Sequence, residues 1–187
     1  ELLRHAPCAV LLVKVAKPYH RPVILTAIDP FHTHEKPARL DAALLAASGA
    51  VAESLKGKLH IVHCVPPSTM IATGWASGPV VVDAGRGTKA LSRARQALAA
   101  EVARHPLPSH KLAILEGAAR EAIPLAARQV KASLVVMGAV SRSGLKRLLI
   151  GNTAEAILDS LTCDVLVIKP GRFQSKVARR SRGAQLM

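Results

Sequence analysis

Aromatic side chains are nearly missing: the 187-residue chain holds one Trp, one Tyr and two Phe. That excludes a surface that reads bases by stacking them on rings. It also forces an aliphatic core of Ala, Val, Leu and Ile, and with half the residues apolar that core can be sizeable. Acid is scarce too, 12 Asp and Glu against 26 Lys and Arg, for a formal net charge of +14. Such an excess favours phosphate, nucleic acid or acidic surfaces. Residues 171–187 carry Arg172, Lys176, Arg179, Arg180 and Arg182 with no acid, yet the body without them is still basic. Cysteine is limited to Cys8, Cys64 and Cys163, without metal-ligand spacing. An odd count with no secretory pattern suits a reducing, cytoplasmic setting. No apolar run approaches the ~18 residues of a membrane span. Ala9–Val13 is cut by Lys14 and lacks a cleavage pattern, which argues against a signal peptide.

What is present includes an internal echo. Laying Glu1–Lys14 over Ala156–Lys169 pairs Leu3 with Leu158, Cys8 with Cys163, Val10 with Val165, Leu11 with Leu166 and Lys14 with Lys169, five identities in fourteen. The reading is that residues 1–14 are the final helix and strand of a preceding homologous domain. The opening Glu, where a Met would start a chain, points the same way. Two unrelated helix-to-strand passages are the alternative. A Pro-containing linker fills 15–20, the domain itself spans 21–170, and 171–187 is a basic, aperiodic tail expected to lack structure.

Within the domain, Val23–Ile28, Leu59–Val65, Lys111–Glu116, Leu134–Met137 and Asp164–Ile168 read as buried strands. Ala38–Leu55, Ala90–Arg104, Glu121–Lys131 and Thr153–Leu161 read as helices between them. The alternation predicts an α/β fold: an open parallel five-stranded sheet with helices on both faces, Rossmann-like. Ser68–Lys89 is glycine-rich and irregular, with a short strand expected at Val80–Val82 and a lid, interface or insertion as its expected role.

One segment suggests chemistry. The strand ending at Met137-Gly138 runs into a basic loop with Ser141, Arg142, Ser143, Gly144, Lys146 and Arg147, then into Gly151-Asn152-Thr153 at the start of a helix. Unpartnered N–H groups, a helix dipole and glycines that allow close approach are what phosphate needs. The order Gly138, two residues, Ser141, nine residues, Gly151-Asn152 resembles the nucleotide-binding signature of the universal stress protein superfamily, which is Gly, two residues, Gly, nine residues, Gly, then Ser or Thr. Met137-Gly138 before it and Cys163–Ile168 after it are similar to the family as well. Ser141 stands at the second glycine, and Asn152 at the hydroxyl position.

The resemblance implies ATP or a related adenine nucleotide as ligand, with Mg²⁺. It places Ala27, Asp29 and Cys64 at adenine and ribose, and Met137, Gly138, Ser141, Arg142, Gly151, Asn152 and Thr153 along the phosphate loop. Two such domains in one chain, as in tandem members, would match the internal echo. It further implies antiparallel pairing of the last strand, so 164–169 would meet either 9–14, as an intramolecular pseudo-dimer, or another chain. Competing roles are visible in the residues. Asp29 beside Pro30 can cap a turn, and Asn152 with Glu155 forms a capping-box pattern. Ser141 can donate its hydroxyl to phosphate but disfavours positive φ. Lys146 and Arg147 can be a solvated face. His32-x-His34 would diverge in a strand, and no cysteine completes a metal set. Cys8 and Cys163 read as buried thiols without an activating partner. No nucleophile with base and orienting group is identifiable, so at most slow ATP hydrolysis is expected. The alternatives are an interaction or dimerisation module without nucleotide, and nonspecific nucleic-acid binding through the basic surface and tail; no specific nucleic-acid partner and no membrane are expected.

Overall fold

The apolar runs are too short for helices and rich in β-branched residues, so they pair edge to edge. The computed structural model describes residues 3, 6, 8–31, 39–65, 72–74, 77–80, 84–138 and 152–169. In chain order the elements are β1 (Val10–Leu12), β2 (Val23–Ala27), α1 (Leu40–Ser54), β3 (Lys58–Val65), β4 (Ala72–Gly74), β5 (Ser77–Val80), α2 (Ala84–Val102), β6 (His110–Glu116), α3 (Ala119–Gln129), β7 (Leu134–Gly138), α4 (Asn152–Ser160) and β8 (Asp164–Ile168). The main sheet has the order β1-β8-β7-β2-β3-β6, and β4 with β5 forms a separate hairpin. Strands β8, β7, β2, β3 and β6 are parallel; β1 adds a sixth, antiparallel to β8.

Strand alternation sends successive side chains to opposite faces, and each face has its own aliphatic core. Leu40, Leu44 and Leu45 of α1 and Leu98 of α2 pack on Ile24, Ile61, Leu134 and Val136. Ile123 and Ala126 of α3 and Ile157 and Leu158 of α4 pack on Leu25, Val62, Val135 and Val165. Burying each such Leu or Ile contributes about 1.5–3 kcal/mol.

Helices α1 and α3 stop in the same way. Lys56 and Lys131 take left-handed φ values of 50° and 52°. The following N–H groups, of Gly57 and Ala132, reach back to Ala52 O and Ala127 O, both at 2.8 Å. That closes the free carbonyls of the last turn.

Several expectations need correction. Helix α2 begins at Ala84, six residues before Ala90, inside the stretch read as irregular. The short strand described there is Ser77–Val80, paired with Ala72–Gly74, and of the expected Val80–Val82 strand Val81 and Val82 lie outside the described residues. Asn152 is the first residue of α4, one position inside the place a capping residue takes. His32, His34, the loop 139–151 and the tail 171–187 lie outside the described residues.

Candidate functional site

After β1 at the sheet edge, the parallel part begins in the middle with β2, runs outward to β3 and β6, then returns on the other side of β2 to β7 and β8. Neighbouring connections therefore diverge at the carboxyl ends of β2 and β7, the switch point at which open α/β sheets take their ligands. Asp29 lies two residues past β2, and Gly138 ends β7. Ala27 pairs with Val62, so the next residue on the same face, Cys64, is level with Asp29. Ala27, Cys64 and Met137 share the α3/α4 face with Ala154 of α4. Thr153 is half-buried in the first turn of that helix. The sequence-predicted residues Ala27, Asp29, Cys64, Met137, Gly138, Asn152 and Thr153 thus belong to elements that meet at one edge. Ser141, Arg142 and Gly151 lie outside the described residues.

Asp29 anchors this edge. Its Oδ1 accepts the Phe31 N–H at 3.3 Å, closing a turn around Pro30, and its own N–H donates to Asp41 Oδ1 at 3.3 Å. Asp41 is fully buried in the first turn of α1, where the helix dipole favours a carboxylate. The Asp29 carboxylate keeps 21% of its side chain exposed and lies 3.9 Å from His63 Nδ1. Burial, and then the charge of Asp29, push the Cys64 thiol up to about 11. That thiol is protonated at neutral pH and is a poor nucleophile.

The opposite face carries a cluster that sequence reasoning missed. His63 is buried, and its Nδ1 lies 3.1 Å from Ile28 O. A carbonyl only accepts, so Nδ1 carries a proton. The Phe31 ring sits 5.5 Å from the His63 ring at 54°, and the Arg93 guanidinium lies 5.7 Å from the Phe31 centroid. The scarcity of aromatics was the available signal, since one of only two phenylalanines directly follows Asp29-Pro30.

Gly138 has a packing role of its own. A Cβ there would come within 2.8 Å of Leu40 Cδ2, so the glycine lets α1 press against the end of β7. Among the described residues no three His, Cys, Asp or Glu side chains gather as metal ligands, and no helix is long and apolar enough to cross a membrane.

A mostly parallel sheet covered on both faces, with its switch point between β2 and β7, defines a Rossmann-like α/β domain. The model of the universal stress protein family matches residues 21–169, and the chain belongs to that family. It is 31% identical to universal stress protein E of Escherichia coli K12, over 95% of this chain and 56% of that protein. A solved structure of a functionally unknown protein from Pseudomonas aeruginosa PAO1 is 33% identical with a TM-score of 0.70, covering 91% of this chain and 55% of that one. The chain therefore spans about half the length of the curated relatives it matches. A universal stress protein solved in complex with cAMP shares the fold at 20% identity and a TM-score of 0.50.

Proposed function

We propose that this domain is a cytoplasmic stress-response binding protein whose regulatory ligand is ATP or a related adenine nucleotide, taken with Mg²⁺ at the carboxyl edge of β2, β3 and β7. The observation that carries the reading is the meeting of Asp29, Cys64 and Met137-Gly138 at the switch point, with the start of α4 on the same side. The residues present fit such a ligand. The part-exposed Asp29 carboxylate can accept from a ribose hydroxyl or a base N–H. The half-buried Ala27 and Cys64 would offer apolar contact to a base. The loop from Gly138 to Asn152, with Arg142, would supply N–H donors and positive charge to phosphates. The cAMP complex of the distant relative supports an adenine nucleotide on this fold. Occupancy would act as a conformational or assembly signal.

A second reading is an interaction module without nucleotide. It is favoured by Asp29 bonding to its own turn and Gly138 packing on Leu40. Calorimetry with Mg²⁺ and ATP separates the two. Micromolar binding that is lost in Gly151→Trp and weakened in Asp29→Ala supports the nucleotide site. No heat up to millimolar ATP, with the chain folded, rejects it. Binding to mixed-sequence DNA that falls steeply with added salt would point instead to the basic surface.

A further inference from the structure

Two lysines make the same bond at opposite ends of the β1–β8 ribbon. Lys14 Nζ donates to Leu161 O at 2.7 Å and also to Leu158 O, while Lys169 Nζ donates to Ala6 O at 2.5 Å. The internal echo equates Lys14 with Lys169 and Ala6 with Leu161, so the two bonds are images of each other. The strand register obeys the same operation: Leu11 faces its own counterpart Leu166, Val10 faces Val167, and Leu12 faces Val165. A local twofold axis passes between Leu11 and Leu166.

That symmetry creates a discrimination problem. A second copy of β8 could take the place of β1, with Leu166 against Leu166 and each Lys169 reaching the other copy's Leu161. What separates the two occupants is what each offers Asp164. This carboxylate is 2% exposed and accepts the Lys14 N–H at 2.7 Å, the Val15 N–H at 3.0 Å and the Tyr19 O–H. The counterparts of those donors are Lys169, Pro170 and Gln174. Proline has no N–H in any conformation. On the β1 side, Ala9 stands where β8 has Asp164, so that strand asks nothing of Pro170.

We propose that Asp164 selects the occupant of the β8 edge: it admits the non-identical strand 10–15 and disfavours a second copy of β8, which keeps the chain from pairing with itself. In a β8–β8 pair each Asp164 would be desolvated without the N–H that Val15 supplies and proline cannot, and the cost would fall twice. These observations are independent of the nucleotide site.

The test is disulfide trapping in the full chain, with Cys8→Ser removing the exposed thiol and Leu166→Cys placed on the axis. Residues that face each other across an antiparallel pair lie within disulfide range. Leu11→Pro is added to release β1, and Asp164→Ala or Asp164→Asn is combined with it; circular dichroism confirms that each chain folds. Mild oxidation should give little interchain product with Leu11→Pro alone and about ten-fold more once Asp164→Ala is added, with Asn between. Equal trapping with and without Asp164, or no trapping with either, overturns the proposal. If Leu11→Pro unfolds the chain, Leu11→Cys with Leu166→Cys keeps β1 intact and reads the ratio of intrachain to interchain disulfide. Asp164→Ala should lower that ratio, and an unchanged ratio overturns the proposal.

Discussion

Asp164 stands at the start of β8 and Asp29 just past the end of β2, yet the two carboxylates are held in different ways. Asp164 is closed off from water and draws its donors from residues 145 to 150 positions away in sequence. Asp29 is held by its own turn and by α1, and it keeps part of its carboxylate toward solvent. A buried anion with three distant donors is a staple, since removing it strands those donors. A half-open anion with short-range contacts retains acceptor capacity, which is what a binding site needs. The two carboxylates therefore lie at different strand ends: the three-donor staple at the amino end of β8, the part-exposed Asp29 just past the carboxyl end of β2.

The largest effect should come from breaking the staple. Asp164→Ala removes three hydrogen bonds to a charged acceptor at the β1 edge and should cost about 2–3 kcal/mol in urea unfolding at neutral pH. The sign of its pH dependence follows from the site. Burial pushes the Asp164 carboxyl up, but the Tyr19 hydroxyl and the Lys14 and Val15 N–H groups outweigh it and hold the group below the ordinary range. Its contribution is present above the unfolded value of about 3.9 and is lost as pH falls through the lower folded value. Wild type and Asp164→Ala should therefore converge in stability under acid. A gap that persists there would mean the contribution is packing rather than charge.

At the switch point the corresponding weak point is steric. Gly138→Ala would set a methyl group 2.8 Å from Leu40 Cδ2, with Leu44 close behind. Overpacking of this kind should cost about 1–2 kcal/mol. Combining it with Leu40→Ala should give a loss smaller than the sum of the two single losses, because the cavity receives the methyl. Additive losses would show that α1 does not rest on Gly138.

The comparison also shows what was legible in the sequence. Aliphatic runs such as Leu134–Met137 and Val165–Ile168 announce strands because they are too short for a helix, rich in β-branched residues and bounded by loop signals. The start of α2 was hidden because Gly85 and Gly87 read as loop by propensity. Gly87 is buried in the helix, so tertiary packing overrode that propensity. At the candidate site, Asp29, Cys64 and Gly138 were reachable through the motif and the strand ends. The Phe31–His63–Arg93 cluster was not, because it joins three separate elements and no local pattern links them. The same holds for Asp164: its place in an apolar strand was plain, but its donors come from the other end of the chain.

Tyr19 is the sole tyrosine, so near-ultraviolet phenolate absorbance reports on the staple alone. Burial first, then the hydrogen bond and charge of Asp164, hold its hydroxyl well above its ordinary value. The stability it contributes is full below about pH 10 and is lost as pH climbs toward the folded value. Phenolate should form at a lower pH in Asp164→Ala than in the folded wild type, with burial still holding it above about 10. Tyr19→Phe should cost about 1 kcal/mol, less than Asp164→Ala, since two donors remain. Ionisation near pH 10 in the wild type would show the staple open.

The finest distinction concerns the other carboxylate. Burial comes first and the Asp29 charge second in pushing the Cys64 thiol up to about 11. Asp29→Asn removes only the second, so Cys64 alkylation at mildly alkaline pH should quicken by a few-fold and no more. Measured by mass spectrometry against the exposed Cys8 as internal reference, that rise would place the Asp29 charge beside Cys64 in solution. No change would mean that burial alone sets the thiol, and that the Asp29 carboxylate points away from the α3/α4 face. Because the nucleotide reading needs Asp29 and Cys64 on one wall, the smallest effect tests the geometry on which that reading depends.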